Sequence, residues 1–363
     1  MFEKPIILSW TQHTLADLER IKQTYPIWKT VDIFERQLGE FFVITHPDVV
    51  GSEEYEQIKA VYVKKWLAGQ EKHLAGAWVY FSWSGVLLHM LDESEYTTLR
   101  TNRNRNLITQ EEQEVLRNSC VAFVGLSVGS NIAVSLSYSG IANTMKLADF
   151  DTLDTSNLNR VKAPLEQVGL QKAEMTARLI YESNPFADLV CFLDKITTKN
   201  LTDITSNPRP SLIFEIMDSF EIKIHLRRLA RAEKIPVIMV TNLGDRVLLD
   251  VERYDLNPQT EFFNGRAGNV PDEMLAHPDI SAEDKHAYAV ALAGVEHIPA
   301  RAQESVKEIG KSLIGRPQLM STVTTASGLC VYLAKQILLG NSVSGSWLVD
   351  FDKIFRPGSP FFI

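Results

Sequence analysis

The chain has 363 residues, 45% hydrophobic and 23% charged, with a formal net charge of −8. That balance suits a globular chain with room for two modest units, and it excludes an intrinsically disordered one. The acidic total also argues against a broad nucleic-acid surface, which needs a basic stripe.

The first hundred residues carry structure but no legible chemistry. The apolar patch in MFEKPIILSW is broken by Thr11, Gln12 and His13, too early for the apolar core of a signal peptide. Pro5–Trp10 is predicted as a strand, and Thr14-Leu15-Ala16-Asp17 caps a helix through Leu18 and Ile21. Asp32–Leu38 continues the helical content, and Phe41–Ile44 is predicted as a further strand. Over Glu53–Gln70 the spacing predicts a helix with Tyr55, Ile58, Val61, Tyr62 and Trp66 on one face. Leu74–Leu91 is uncharged and near the minimum length of a membrane span, but Ser82-Trp83-Ser84-Gly85 marks a turn in its middle. A buried hairpin is expected there, and no membrane partner. His13, His46, His73 and His89 lack metal-ligand spacing. Thr98–Asn106, TLRTNRNRN, is a polar connector, or a basic arm able to reach a phosphate.

From Glu111 the rhythm becomes β/α. A short helix (Glu111–Asn118) leads to a strand (Val121–Val124), a helix after Gly129, and a second strand (Met145–Ala148). A helix over Leu170–Glu182, a strand at Leu189–Leu193 and a short helix near Leu201 follow. Ser211–Met217 is apolar apart from Glu215, as in a strand buried on both faces. Ser219–Glu233 is a helix and Pro236–Val240 a strand, so right-handed crossovers and one parallel sheet are expected. Val247–Tyr254 alternates like an antiparallel strand. Residues 255–315 are polar, with helix expected only over Ser281–Leu292 and Ala300–Leu313. An apolar helix (Thr322–Leu339) and a strand (Ser346–Phe351) close the chain.

Chemistry gathers around the first strand's end. A dinucleotide fingerprint is G-x-G-x-x-G, since glycines let backbone N–H groups approach phosphate at a helix N-terminus. Here Gly125-Leu126-Ser127-Val128-Gly129-Ser130 keeps the first glycine and puts serine at the second. Asp149 and Asp151, at the second strand's tip, are placed by alternation on one side, where a carboxylate can accept ribose hydroxyls of NAD or ATP. Arg160 and Lys172 lie where a triphosphate would extend. Asp218 ends an apolar strand before a helix, as an N-cap or as a carboxylate able to hold Mg²⁺. Two cations, a ribose carboxylate and a metal carboxylate suit a nucleoside triphosphate. A dinucleotide-dependent oxidoreductase explains Gly125 and Asp149 but leaves Arg160, Lys172 and Asp218 unused.

The stretch from about Arg103 to Pro236 resembles the ThiF/MoeB family of ubiquitin-activating-type adenylating enzymes, through RNRNLIT, VGLSVGS, LADFDTLDTSNLNR, VGLQKAE and MDSFEIK in that order. The resemblance implies a doubly wound, Rossmann-like α/β fold: a mainly parallel sheet with antiparallel C-terminal strands over residues 101–363, plus an N-terminal α+β extension over residues 1–100 for substrate recognition. It implies ATP and Mg²⁺ as cofactors and a carboxylate substrate, the C-terminus of a small protein or peptide, activated as an acyl-adenylate. By position, Asp149 binds ribose, Asn157 and Arg160 the phosphates, Lys172 their developing charge, and Asp218 the metal. Gly125, Ser127, Gly129 and Asp151 complete the nucleotide set. Arg105, with Arg103 behind it, corresponds to an arginine that reaches a neighbouring subunit's ATP, so a homodimer is expected.

The chain departs from that family at the glycine loop and in lacking zinc-binding cysteine pairs. No cysteine lies between Cys191 and Cys330, where many relatives carry a nucleophile. Cys330, inside an apolar helix, is expected to be a packing residue. Adenylation without a thioester on this chain is therefore expected, with a non-catalytic binding scaffold as the other family reading. Three dispersed cysteines and no C-x-x-C pair point to a reducing cytoplasm.

Overall fold

In the computed structural model of the chain, residues 2–10, 13–276 and 282–360 are described. Thr11, Gln12 and the expected helix start at Ser281 lie outside them. The chain divides into two units: residues up to Gln110 together with Asn184–Phe186, and the remainder from Glu111 onward.

The N-terminal unit is a four-stranded sheet with helices. Its elements are β1 (Ile6–Leu8), α1 (Leu15–Thr24), β2 (Lys29–Asp32), α2 (Phe34–Thr45), α3 (Tyr55–Leu67), β3 (Ala77–Phe81), β4 (Val86–Met90) and α4 (Glu93–Thr101). The sheet order is β1-β3-β4-β2, with β2 parallel to β4 and the other pairings antiparallel. Thr14 and Asp17 form a reciprocal capping box at the start of α1. The uncharged stretch folds as the expected hairpin, Ala77 opposite Met90 and Phe81 opposite Val86. Among the described residues no helix is long and apolar enough to cross a membrane.

Three expectations need correction here. Phe41–Ile44 is the end of helix α2, because Phe34, Leu38 and Phe42 recur every fourth residue and all three are buried. That shared face outweighs the local β propensity of the aromatic and β-branched run. The strand lies earlier, at the mostly exposed edge strand β2. Val61 points away from the apolar face of α3 and is exposed. Thr98–Asn106 is no simple connector: α4 runs to Thr101 and a 3₁₀ turn covers Asn102–Asn104.

The second unit is built on a seven-stranded sheet. After α5 (Gln110–Asn118) come β5 (Cys120–Val124), α6 (Val128–Tyr138), β6 (Thr144–Ala148), α7 (Lys172–Ser183), β7 (Asp188–Phe192), α8 (Thr202–Thr205), β8 (Leu212–Glu215), α9 (Phe220–Ala232), β9 (Val237–Asn242) and β10 (Arg246–Glu252). Then follow α10 (Val270–Ala276), α11 (Ala282–Ala293), α12 (Ala300–Val306), α13 (Met320–Leu338), β11 (Gly345–Asp350) and α14 (Phe351–Ile354). Sheet order is β11-β10-β9-β8-β5-β6-β7. Strands β7, β6, β5, β8 and β9 are mutually parallel, and β10 and β11 are antiparallel. This is the Rossmann-like, mainly parallel α/β sheet with antiparallel C-terminal strands that the sequence predicts. The polar segment distributes its helix differently from the expectation: α10 is additional, and α12 ends at Val306, short of Leu313.

Beneath the sheet's carboxyl edge lies a buried ionic cluster. Glu215, the lone charge of β8, accepts from Lys223 Nζ at 2.7 Å and from Arg227 Nη1 at 2.9 Å. Arg227 Nε also pairs with Glu252 of β10 at 2.8 Å, and the guanidinium lies 3.8 Å from the Phe263 ring centroid. Burial opposes ionisation of Glu215, but Lys223 and Arg227 outweigh it and hold the carboxyl below its usual range. Burial pushes Glu252 the other way, with Arg227 only partly offsetting it. Removing one member of such a cluster strands the others without compensation. Arg227→Met is expected to cost about 3–5 kcal/mol, measured as a fall in urea unfolding free energy; a loss below roughly 1 kcal/mol, the level of a surface pair, would contradict this account.

Candidate nucleotide-binding site

The parallel strands β5, β6 and β8 deliver their carboxyl ends to one edge, where doubly wound sheets hold ligands. Strand β5 is followed by Gly125, whose φ of +100° is a conformation L side chains rarely adopt. A Cβ there would lie 2.5 Å from the Ile216 carbonyl oxygen and 3.0 Å from the Met217 nitrogen. Gly125 is thus required by the close approach of two backbone turns, after β5 and after β8. Ser127 caps α6 without a side-chain cap hydrogen bond, and its carbonyl accepts from the Ser130 hydroxyl. Gly129 sits in the first turn of α6, its position closed off by Ile216.

Asp149 turns toward this loop. Its Oδ2 accepts from the Leu126 N–H at 2.7 Å and its Oδ1 from the Asp151 N–H at 2.9 Å. Each carboxylate oxygen has a second lone pair, so hydroxyl groups can still be received. Burial raises the Asp149 pKa, and the Leu126 N–H and the nearby Lys172 act against that shift. Asp151 engages a different partner: its carboxylate, half exposed, meets Lys172 Nζ at 3.1 Å, and its carbonyl accepts the Lys172 N–H at 2.8 Å. Strand β6 has ended at Ala148, so alternation no longer aligns the two carboxylates.

Arg160 follows a 3₁₀ turn (Thr155–Asn157) closed by Asp154 and Asn157 in a mutual capping box. Buried Asn157 accepts from the Asp154 N–H at 3.2 Å, so its side chain shapes the turn that presents Arg160. Asn131 of α6 donates to the Arg160 carbonyl at 2.9 Å. The guanidinium donates to Asn159 Oδ1 at 2.9 Å, while its Nε is buried with no hydrogen-bond partner. Burial lowers the Arg160 pKa and the Asp218 carboxylate opposes it, so these groups share one neighbourhood. Lys223 feels burial in the same sense, offset by Glu215 and more weakly by Asp218.

Asp218 stands in the turn between β8 and α9, with its side chain 95% exposed. Ser219, not Asp218, is the N-cap of α9. The Asp218 carboxylate accepts from Arg316 Nη2 at 3.0 Å, from a segment 98 residues downstream. Nearby, Asn159 donates to the Gln318 carbonyl at 2.8 Å. No local pattern in the sequence marks Arg316, because its partner is fixed only by the return of the long segment after β10. Arg103 and Arg105 are exposed and fall in the N-terminal unit.

The donor set fits a magnesium ion carried in with phosphate. Asp218 is an open carboxylate whose surroundings already accept a cation, Arg316. Among the described residues no group of three or more His, Cys, Asp or Glu side chains gathers as a protein cage. One carboxylate with phosphate and water oxygens is how Mg²⁺ is commonly held. Two of the cysteines are poor nucleophiles through burial, which pushes Cys120 up to about 11 and raises fully buried Cys330 as well.

The class is therefore a Rossmann-like α/β domain with a glycine turn, strand-end carboxylates and cations along one sheet edge. Residues 101–268 match the ThiF family, and the chain carries a ThiF family domain. An uncharacterized protein of Mycobacterium tuberculosis is 33% identical over 291 residues, covering 79% of this chain and 40% of that protein. This chain thus spans two fifths of that relative's length. Molybdopterin-synthase adenylyltransferase of Haemophilus influenzae is 27% identical over 234 residues, 62% of this chain and 91% of that enzyme. Among solved structures, PaaA shares the fold with a TM-score of 0.50 at 16% identity, over 72% of this chain and 69% of that one.

Gly125→Ala tests the close approach of the two turns. Gly169, at φ +94° with nothing within 4 Å of an added Cβ, serves as its control. Both variants should pay roughly 1–3 kcal/mol of backbone strain, but only Gly125→Ala adds a backbone clash and should abolish nucleotide binding. Equal losses in thermal unfolding and equal binding would sink the argument.

Proposed function

We propose that this chain is an ATP-dependent adenylyltransferase that activates a carboxylate as an acyl-adenylate. The observation that carries the reading is the convergence of Asp149, Lys172, Arg160 and Asp218 on one sheet edge of a ThiF family domain. The name of the Haemophilus influenzae relative, an adenylyltransferase, supports the same reaction class.

In this reading the first-turn N–H groups of α6, with Gly125, Ser127 and Gly129, receive phosphate, and Asp149 receives the ribose hydroxyls. Asn157 holds the turn of Arg160, which faces the phosphates. Lys172 leaves Asp151 to neutralise charge on the phosphates as it builds. Asp218 would hold Mg²⁺, which when bound would offset the charge of the polyphosphate. A substrate carboxylate oxygen bonds to the α-phosphorus while the bond from that phosphorus to pyrophosphate breaks. Positioned cations suit this step, because negative charge moves toward the leaving group.

The substrate is assigned as the C-terminal carboxylate of a small protein or peptide, with residues 1–100 recognising it. Arg105, or Arg103 behind it, is assigned to the ATP of a partner subunit, so the working form is a homodimer, in the cytoplasm. No thioester forms on this chain: buried Cys330, with its raised pKa, supports a packing role, and the acyl group passes to an amine, a thiol or a separate partner.

Substrate-dependent exchange of labelled pyrophosphate into ATP tests the reaction. Asp218→Ala and Lys172→Ala are each expected to lower exchange by about a hundredfold, with AMP binding retained. Undiminished exchange in Asp218→Ala would overturn the metal assignment, and absence of ATP binding by the wild type would overturn the function.

A further inference from the structure

Arg316 lies in the segment Ile314-Gly315-Arg316-Pro317-Gln318-Leu319, which returns from the insertion after β10 and enters α13 at Met320. It touches the candidate site twice, through Arg316 on Asp218 and through the Gln318 carbonyl on Asn159. Asn159 is the neighbour of Arg160, so the segment spans the two turns that face the phosphates in the ATP reading.

The ion pair itself is open to water, with Arg316 51% and Asp218 95% exposed. A pair so exposed contributes little to stability, so Arg316 is held there loosely. A divalent ion on Asp218 would set two positive groups on one carboxylate. The nearest compensating charge would then be the polyphosphate, whose oxygens match a guanidinium's paired donors. The Asn159 anchor, two residues along, confines Arg316 to that vicinity.

We infer that Arg316 is a phosphate ligand held in reserve on Asp218: it neutralises this carboxylate before nucleotide arrives and transfers to the polyphosphate when Mg²⁺ takes Asp218. Residues 314–319 are thereby drawn onto the nucleotide, and the insertion after β10 becomes sensitive to whether ATP is bound. The inference rests on the ATP reading above, and its test separates the two.

The test uses the full chain, with Mg²⁺·ATP and AMP titrated by calorimetry into wild type, Arg316→Ala and Arg316→Lys. Arg316→Ala is expected to weaken Mg²⁺·ATP about tenfold, the loss of one charge-assisted contact. AMP, which lacks the outer phosphates, should bind within about twofold of wild type, confirming an intact fold, and Arg316→Lys should recover part of the loss. Mg²⁺·ATP should also slow tryptic cleavage after Lys311 in the wild type but not in Arg316→Ala. Unchanged or tighter Mg²⁺·ATP binding in Arg316→Ala overturns the inference and leaves the function standing. A wild type that binds no ATP overturns both.

Discussion

The carboxylate of Glu215 is the point on which the second unit's architecture turns. It sits at the end of β8, fully buried, and one oxygen receives both the Lys223 ammonium and the Met217 N–H, the latter at 3.0 Å. The other receives Arg227. A charge inside a parallel sheet is tolerated only when its lone pairs are filled, and here two cations and a backbone donor fill them. The same contact shapes the turn that presents Asp218 three residues later. Because Ile216 in that turn packs directly on Gly125, the Gly125 turn and the Asp218 turn are held as one object.

Arg227 extends the constraint across the change of strand direction. Its partner Glu252 ends β10, accepts the Tyr254 hydroxyl at 2.5 Å and the Phe263 N–H at 2.8 Å, and so pins the start of the insertion beside the parallel core. Asp250, two residues earlier on the same face of β10, accepts from Asn264 and Ser346 and lies 3.9 Å from Arg266. The core here holds three carboxylates (Glu215, Asp250 and Glu252) and three cations (Lys223, Arg227 and Arg266) in place of apolar packing. Such clusters add little net stability over apolar side chains, but each member must meet its partners in one geometry, which penalises alternative registers of β8, β9 and β10.

Much of this was legible in the sequence where the determinants are local. The alternation of strands and helices from Glu111 gave the sheet, since each element there carries its own period and its own turn. Gly125, Asp149 and Asp218 could be placed at the sheet edge because each lies within a few residues of a strand end, and Lys172 because it opens the helix that follows the Asp149–Arg160 segment. The failures have two causes: a helical period that starts before the misread stretch, and dependence on distant residues. Phe41–Ile44 has the composition of a strand and becomes helix because Phe34 and Leu38 complete a buried face. Edge strand β2 is polar and acquires its identity only by pairing with β4. Glu215 stood out as a charge in an apolar run, but Glu252 lies 37 positions further along the chain by residue number, and no spacing rule links them.

The two ends of the insertion after β10 are treated differently, and the difference follows from burial. Its beginning is tied to Glu252 in a dry cluster, where separating the charges exposes an unpaired ion to the protein interior. Its end is tied to Asp218 and Asn159 at the surface, where water can replace each contact at little cost. A segment anchored in this way keeps its first residues with the sheet while its last residues can exchange partners. Under the inference drawn from Arg316, ligand charge at the sheet edge acts on residues 314–319, whose contacts there are at the surface. Glu215 faces the dry side of that arrangement and Asp218 the wet side, three residues apart in one turn, so one short stretch of chain sets both the rigid anchor and the exchangeable one.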